Sequence, residues 1–461
     1  PAQALAELRD AGPQQDRRTR MPATEVFHGL LQAFAVDAPP LTRDPLDFFA
    51  RQVREILPPP EAGEPDVYQF ARVMERLLAA KERPARRPAP KSRAAAAIPV
   101  AKSLEELIDA IRRADYREAA RLGAAVDLTP ATPDQVRTFA GSMLAVADGL
   151  LDNSQEELQA YELAIRAADS LPPGQWDSEL HDRVARALMN RGITLGQMGR
   201  SEEEIAAYDE LMRRYGDNPG AVFQLRVATV LVNKGITLVQ SKRGEEALVA
   251  FDEVLGRFGG AEDVLMKIQL AKALVNKGYT LGELQRVDEA IAVYNWLVSL
   301  YGEETDPQLQ ERVARALVNK AILLGQKPDL EQEAATYEEV LRRFGDSTLP
   351  GLREQVGRAL ISKGVAFSQR GEAEAEMAAY SELLRRHADA TEPVLREQMG
   401  KALLFQAMTL ENLDRGAEAA GVYDELLRRF GDAPEPELQK LAARARAKRS
   451  APAEPGTAAG G

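Results

Sequence analysis

The chain has 461 residues, of which 45% are hydrophobic, and it carries a formal net charge of -12 and no cysteine. The negative charge argues against non-specific nucleic-acid binding by the whole chain. The lack of cysteine excludes disulfides, thiolate nucleophiles and cysteine zinc ligands, and no apolar run approaches the roughly 18 residues that span a bilayer. We therefore expect a cytoplasmic protein with neither a nucleic-acid partner nor a membrane partner.

The first hundred residues divide into three parts. Residues 1–21 are polar, lack the apolar core of a signal peptide and are expected to be a flexible N-terminus. Residues 22–81 are expected to form a small helical unit of unknown function, because three segments separated by prolines space their apolar residues as helices do. Residues 82–102 form a basic linker rich in proline and alanine, which favours a solvated tether over an arm for an acidic surface. The three helical segments are Thr24–Val36, Asp44–Ile56 and Asp66–Ala80.

An array of about eight helix pairs is predicted over residues 103–432, and six of the pairs, at 180–432, are regular. Two columns of residues recur every 43 positions, and a strict period of this length indicates a solenoid of stacked helix pairs. Residues 433–449 are expected to be a capping helix and 450–461 a disordered tail. The columns are Asn190, Asn233, Asn276, Asn319, Ser362 and Phe405 in the first helix of each pair, helix A, and Tyr208, Phe251, Tyr294, Tyr337, Tyr380 and Tyr423 in the second, helix B.

Each regular pair carries further local signals. Small residues at Gly192 and its equivalents in helix A indicate that a neighbouring helix passes close, because glycine inside a helix costs about 1 kcal/mol relative to alanine. Ser201 with Glu204 fits a capping box at the start of helix B. Gly216 and its equivalents are expected to end helix B as left-handed C-caps.

The order of these positions resembles the tetratricopeptide repeat. In the first regular pair it is carried by Leu188, Gly192, Leu195, the turn glycine Gly199 and Tyr208. The resemblance implies an all-α fold, a right-handed α-solenoid (superhelix) of antiparallel helix pairs with a C-terminal capping helix. One departure is the 43-residue spacing, against about 34 residues in that family. Another is that the small residue expected in helix B is present at Ala247, Ala290 and Ala419 but is replaced at Glu204, Glu333 and Glu376.

In the family that the sequence resembles, helices A line a concave groove. The helix A positions spaced i, i+4, i+7 and i+11 are therefore expected to form four stripes along it, which are basic, amide, apolar and amide in turn. The predicted peptide-binding residues are Arg186, Asn190, Ile193, Gln197, Asn233, Ile236, Gln240, Lys272, Asn276, Tyr279, Arg315, Asn319, Ile322, Gln326 and Arg358.

Two interpretations of the asparagine column stay open. An amide donates and accepts at once, so the column matches the peptide units of an extended ligand, and it resembles the asparagine ladder of O-linked GlcNAc transferase and kinesin light chain. Alternatively, each asparagine bonds to the adjacent helix A and sets the spacing of the repeats. The basic stripe would favour a partner with acidic side chains or a free C-terminal carboxylate.

Two residues break their columns. Trp296 stands where other repeats have glutamate, and it is either an exposed binding hot spot or a packing residue against an adjacent repeat. Phe405 replaces the ladder asparagine in the last repeat, where burial beneath the capping helix is favoured over an apolar stop for a ligand.

No catalytic pattern emerges, so we expect a protein that is not an enzyme and has no cofactor or metal. The histidines are dispersed, and no phosphate-binding loop, GxSxG, HExxH or dinucleotide fingerprint occurs. The favoured function is a protein–protein interaction scaffold that binds an extended peptide or partner segment. The alternative is a regulatory or sensor array of a larger enzyme or signalling complex, as in the arrays attached to bacterial proteases and ATPases, with which the absence of an initiator Met is consistent.

Overall fold

The computed structural model describes residues 100–327 and 329–450, and these residues form helices and turns without a strand. The predicted N-terminus at 1–21, the helical unit at 22–81, nearly all of the linker and nearly all of the tail lie outside the described residues. The described helices are α1 Val100–Arg112, α2 Tyr116–Ala124, α3 Pro133–Leu150, α4 Gln155–Asp169, α5 Ser178–Gln197, α6 Ser201–Tyr215, α7 Ala221–Gln240, α8 Gly244–Phe258, α9 Val264–Glu283, α10 Val287–Tyr301, α11 Pro307–Gln326, α12 Leu330–Phe344, α13 Pro350–Gln369, α14 Ala373–Arg386, α15 Pro393–Asn412, α16 Gly416–Phe430 and α17 Pro436–Ser450, with a single 3₁₀ turn at Pro173–Gln175.

The helices pack in consecutive pairs, which confirms the predicted all-α helical repeat fold. From α3 onward each odd-numbered helix is a helix A that packs against the helix B after it, and each helix B packs against the next helix A. Successive helices A also pack against one another from α3 to α17. The last described helix, α17, packs on α15 and α16, where it buries Leu438, Leu441 and Ala442.

The helices A from α5 to α17 start at evenly spaced positions, each 43 residues after the previous one. Asp177, Asp263 and Asp306 each accept a hydrogen bond from a backbone N–H of the first turn. In the helices A from α11 on, the first helical residue is proline. Proline costs no hydrogen bond there, because a backbone N–H at the first helical position has no intrahelical partner. The start positions are Ser178, Ala221, Val264, Pro307, Pro350, Pro393 and Pro436.

Two local predictions about helix ends are wrong. Gly216 and its equivalents at the end of helix B have right-handed backbone, with φ of -55° at Gly216. The left-handed residue lies instead in the turn from helix A to helix B, at Gly199 with φ of 73° and at non-glycine equivalents such as Lys242 with φ of 62°. Ser201 makes no capping box, because the residue before it is the N-cap and Glu204 faces the core.

Helix A and helix B of one pair meet at a small residue and an aromatic ring. A Cβ atom added at Gly192 would overlap the ring of Tyr208, and one added at Gly278 would overlap the ring of Tyr294. Both tyrosines are 1% exposed, so the rings have no room to move away. The small column therefore sets how closely the two helices of a pair approach.

Gly278→Val should lower the thermal unfolding midpoint measured by far-UV circular dichroism, because overpacking a tight contact costs about 1–3 kcal/mol. Gly256→Ala is the matched control, since Gly256 is exposed in α8 with nothing near its added Cβ. The control should raise the midpoint slightly through helix propensity. An unchanged midpoint in Gly278→Val would show that the close approach is not limiting.

Buried carboxylates explain the departure from the family at Glu204 and Glu333. Glu204 is 7% exposed and accepts hydrogen bonds from the Tyr208 hydroxyl at 3.1 Å and from Thr237 of the next helix A. A Cβ at Gly196 would lie 2.6 Å from that carboxylate, so the glycine makes the room that the glutamate fills. Burial raises the pKa of Glu204 above its ordinary value.

Glu204→Gln should raise the thermal midpoint at neutral pH, because the amide keeps an acceptor for Tyr208 and carries no buried charge. The pKa of Glu204 is raised, so its contribution to stability is fully present below the ordinary value of 4.5 and is lost as pH rises through the folded-state pKa. The gain in thermal midpoint from Glu204→Gln should therefore shrink as pH falls through the folded-state pKa of Glu204 towards 4.5. Glu210→Gln is a control that should lower the thermal midpoint at neutral pH. Burial pushes the pKa of Glu210 upward, but hydrogen bonds from Arg213 and Arg214 hold that pKa below its ordinary value. Equal effects of the two changes would contradict the assignment.

One described helix, α7, is long and apolar enough to cross a membrane by length and composition, with a mean hydropathy of 1.4. It contains Arg226 and Lys234, and it packs against α5, α6, α8 and α9. These contacts are those of a core helix in the array.

Candidate functional site: the surface of helices A

The predicted stripes lie on the side of helices A that helices B do not cover, and we call this side the helix A surface. The outer amide stripe is the last residue of each helix A, and Gln197, Gln240 and Gln326 are all exposed. In the apolar stripe Tyr279 is 46% exposed. The equivalent residues Ile193, Ile236 and Ile322 are half-buried.

The ladder position contacts the tyrosine of the preceding helix B. Asn319 is 9% exposed, donates from Nδ2 to the Tyr294 hydroxyl at 3.1 Å and accepts at Oδ1 from Arg358 at 2.6 Å. Asn190 is likewise hydrogen-bonded to Tyr161, and its Nδ2 lies 3.4 Å from Asp148 of the previous helix A. A spacing role is therefore built into these two positions, in addition to any role toward a ligand.

Asn276 differs, because the aromatic residue before it is Phe251 and has no hydroxyl. Its Nδ2 donates to the carbonyl oxygen of Lys272 in its own helix at 2.8 Å. Phe405, at the same position in the last regular repeat, is half-buried and packs on Tyr380 with ring centroids 5.8 Å apart. The partner of the ladder residue thus changes with the chemistry of the preceding ring.

The basic stripe is accompanied by acids and is not uniformly positive. Arg186 pairs with Asp148 at 2.8 Å, and Arg315 lies 3.9 Å from Glu311. Burial, followed by repulsion from Arg315, lowers the pKa of Arg358, and burial raises the pKa of Glu354 one turn before it. The helix A surface of α11, α13 and α15 is therefore a mixed-charge surface.

On α7 and α9 apolar residues take the place of those acids. Leu225 and Ile268 occupy the positions of Glu311 and Glu354. One stripe position further toward the helix start, Val222 is 55% exposed and Leu265 is 53% exposed. Both lie eleven residues before a ladder asparagine, so the same helical period carried two steps beyond the basic stripe includes them. The sequence-based site missed these two residues.

A second column of basic residues connects α7, α9 and α13 to the helix B before each of them. Lys234 is paired with Asp209, Lys277 with Asp252 and Lys363 with Glu338. These cations point toward the side of the array that carries helix B and contribute to repeat stacking.

An open depression of about 610 Å³ lies among α1, α3 and α5 at the start of the array. Its arginines are paired internally: Arg137 donates to Asp134 at 2.6 Å and Arg183 to Glu179 at 2.5 Å. In residues 100–327 and 329–450 no group of three or more histidine, aspartate or glutamate residues is arranged to hold a metal ion.

The sequence of one pair agrees with a known family model. Residues 271–303, which cover most of α9 and all of α10, match the model of the tetratricopeptide repeat. One helix pair of the array therefore matches the tetratricopeptide repeat in sequence. No curated protein matches this chain in sequence.

Solved structures with a similar helical arrangement share little sequence with this chain. The apo form of RapI has a TM-score of 0.49 at 12% identity, over 76% of this chain and 98% of its own. The apo quorum sensor NprR from B. thuringiensis has a TM-score of 0.42 at 13% identity, over 83% and 97%. A signal-transduction ATPase of the STAND class with a tetratricopeptide repeat sensor, from Pyrococcus horikoshii, has a TM-score of 0.44 at 10% identity, over 94% and 63%.

Asn319→Ala should lower the thermal midpoint more than Asn276→Ala. The first change leaves the Tyr294 hydroxyl and the Arg358 guanidinium without a partner, and an unsatisfied buried polar group costs about 1–3 kcal/mol. The second removes one bond to the residue's own helix and introduces a better helix former. Equal losses in the two variants would contradict the distinction between a spacing asparagine and an available one.

Proposed function

We propose that this chain is a protein–protein interaction module, without catalysis of its own, that captures an extended segment of a partner on the helix A surface of α7 and α9. The observation that carries the proposal is the exposure of Val222, Leu265 and Tyr279 on the free side of two adjacent helices. Exposed apolar side chains next to polar groups are typical of binding sites.

The ladder residue on α9 is the amide best suited to a ligand. Turning toward a peptide costs Asn276 one bond to its own helix carbonyl, whereas Asn319 would have to break bonds with Tyr294 and Arg358. Breaking the buried hydrogen bonds of Asn319 costs more free energy than a new hydrogen bond to a peptide unit contributes. We therefore expect the partner backbone to bond to the helix A surface at Asn276, with an apolar partner side chain on Tyr279 and Ile236.

The charge preference of the site follows from its borders. Lys272 and Arg315 are the basic-stripe residues on α9 and α11, so an acidic side chain or a C-terminal carboxylate of the partner would be held there. Glu311 near the start of α11 and Glu354 on α13 disfavour an acidic ligand on that side of the two basic residues. An apolar segment with one acidic group is the chemistry that this surface fits, in a free partner or within a larger regulatory complex.

Selection from a random peptide library displayed on phage tests the proposal directly. The wild-type chain should enrich segments that combine apolar residues with an acidic group. Leu265→Ser with Tyr279→Ala should weaken binding of the enriched peptides by about 10-fold or more, as expected for loss of roughly 1.4 kcal/mol. The matched control is Leu413→Ala, which removes a side chain that is 42% exposed in the turn between α15 and α16.

The result that contradicts the proposal is equally specific. Either the wild-type chain enriches no common segment, or the enriched peptides bind the Leu265→Ser, Tyr279→Ala double variant as tightly as the wild type. Circular dichroism of the double variant should be unchanged, because both side chains are about half exposed.

A further inference from the structure

The outer face of helix B has a repeated charge motif that one helix lacks. In each of the five remaining regular helices B, a glutamate near the end of the helix forms an ion pair with the arginine four residues later. The distance is 2.5 Å between Glu210 and Arg214 and 3.0 Å between Glu339 and Arg343. In α10 the equivalent residues are Trp296 and Leu300. The remaining pairs are Glu253 with Arg257, Glu382 with Arg386 and Glu425 with Arg429.

The loss of charge extends around these two residues. The residue just before the paired arginine is itself an arginine in four of the regular repeats. The equivalent residue is Gly256 in α8 and Ser299 in α10. From Ala290 to Gly302 the chain carries no charged residue. The result is an uncharged surface, which we call the α10 patch and define by Val249, Gly256, Ala292, Trp296, Ser299 and Leu300, all of them exposed.

The fold does not require apolar residues at these positions. Five equivalent helices place Glu and Arg there and pair with their helices A in the same way. Trp296 stays 44% exposed, Leu300 45% and Val249 68%, so packing within the described chain does not account for them. An exposed tryptophan within an apolar patch is the usual centre of a protein–protein contact.

We propose that two copies of this chain associate through the α10 patch. The charges on its two sides are self-complementary. On α8 and α12, which flank α10, Glu253 and Glu339 each precede an arginine by one helical turn. A second copy turned by 180° about an axis that lies in the interface and crosses α10 brings Trp296 against Leu300 of the second copy. The same rotation brings Glu253 and Glu339 opposite Arg257 and Arg343 of the second copy.

The proposed contact covers the outer faces of α8, α10 and α12, that is, the α10 patch together with the flanking ion pairs of α8 and α12. Helices of 15 residues are about 22 Å long. Three of them side by side at a spacing of about 10 Å present roughly 650 Å², which is close to the lower end of the area that each partner buries in a standard interface. The expected dimer therefore dissociates in the micromolar range, on the order of 1–100 μM.

Trp296→Glu with Leu300→Arg is the decisive variant, because it restores the ion pair found in the other five regular repeats and so keeps the fold. Sedimentation velocity of the wild-type chain should show a monomer–dimer equilibrium, and the variant should be a monomer with an unchanged thermal midpoint. A wild-type chain that is monomeric to about 100 μM overturns the proposal, and so does a variant that dimerises as the wild type does.

Fluorescence and charge exchange locate the contact. The chain has two tryptophans, so Trp176→Phe leaves Trp296 as the only one, and its emission should shift to shorter wavelength as the dimer forms. Glu253→Arg should weaken the dimer by facing arginine with arginine, and adding Arg257→Glu should restore it. A dimer whose Trp296 emission does not respond to concentration, or that Glu253→Arg leaves unchanged, overturns this arrangement. Val222, Leu265 and Tyr279 lie on helices A, so the peptide selection described above is an independent experiment.

Discussion

The contact between the aromatic ring of each helix B and the small residue of its helix A determines the geometry of every regular pair. The ring is buried, and a Cβ atom at Gly192, Gly235, Gly278 or Gly364 would overlap it, so glycine permits the close approach of the two helices in these four pairs. The other two pairs have the next smallest residue, alanine, at this position. Identical pairs at a constant spacing then stack with their equivalent residues in columns. A surface that differs from its neighbours therefore requires a substitution within a column, and such substitutions are where function is to be sought.

The same ring also connects one pair with the next. Its hydroxyl meets the ladder residue of the following helix A, as Tyr294 does with Asn319 and Tyr337 with Ser362. This explains why an amide or hydroxyl recurs at that position without invoking a ligand. Where the ring is Phe251, the amide of Asn276 turns back to its own helix. Asn276 therefore does not connect its helix A to the preceding helix B through a ring hydroxyl, because Phe251 has none.

Column comparison predicted the helix pairs, because period, small residues and rings all express the same backbone geometry. It failed where a residue has two physical uses. Gly216 suits a left-handed cap, yet its backbone is right-handed and the left-handed residue lies in the turn at Gly199. Glu204 suits a capping box, yet its carboxylate is buried with Tyr208 and Thr237, in room left by Gly196. Spacing along the chain does not show which use prevails, because the answer depends on atoms of the neighbouring helix.

The candidate site illustrates the same limit. Spacing and the resemblance to the tetratricopeptide repeat predict the amide and apolar stripes, but the pairing of Arg186 with Asp148 and the burial of Asn319 depend on neighbouring helices. Val222 and Leu265 were missed because the stripe was ended at the basic position. Their exposure becomes informative only when the acids at Glu311 and Glu354 are seen to be replaced by Leu225 and Ile268 on α7 and α9.

The pair α9 and α10 departs from its neighbours on both of its faces. Its helix A carries the exposed Leu265 and Tyr279, and its helix B carries Trp296 and Leu300 in place of an ion pair. The proposed association of two copies through α10 would use the helix B face and leave both helix A surfaces open. A dimer of this kind would present two such surfaces, and a bivalent partner would then bind its second segment at a high effective concentration. The proposed peptide site and the proposed self-contact would in that way strengthen each other without any direct contact between them.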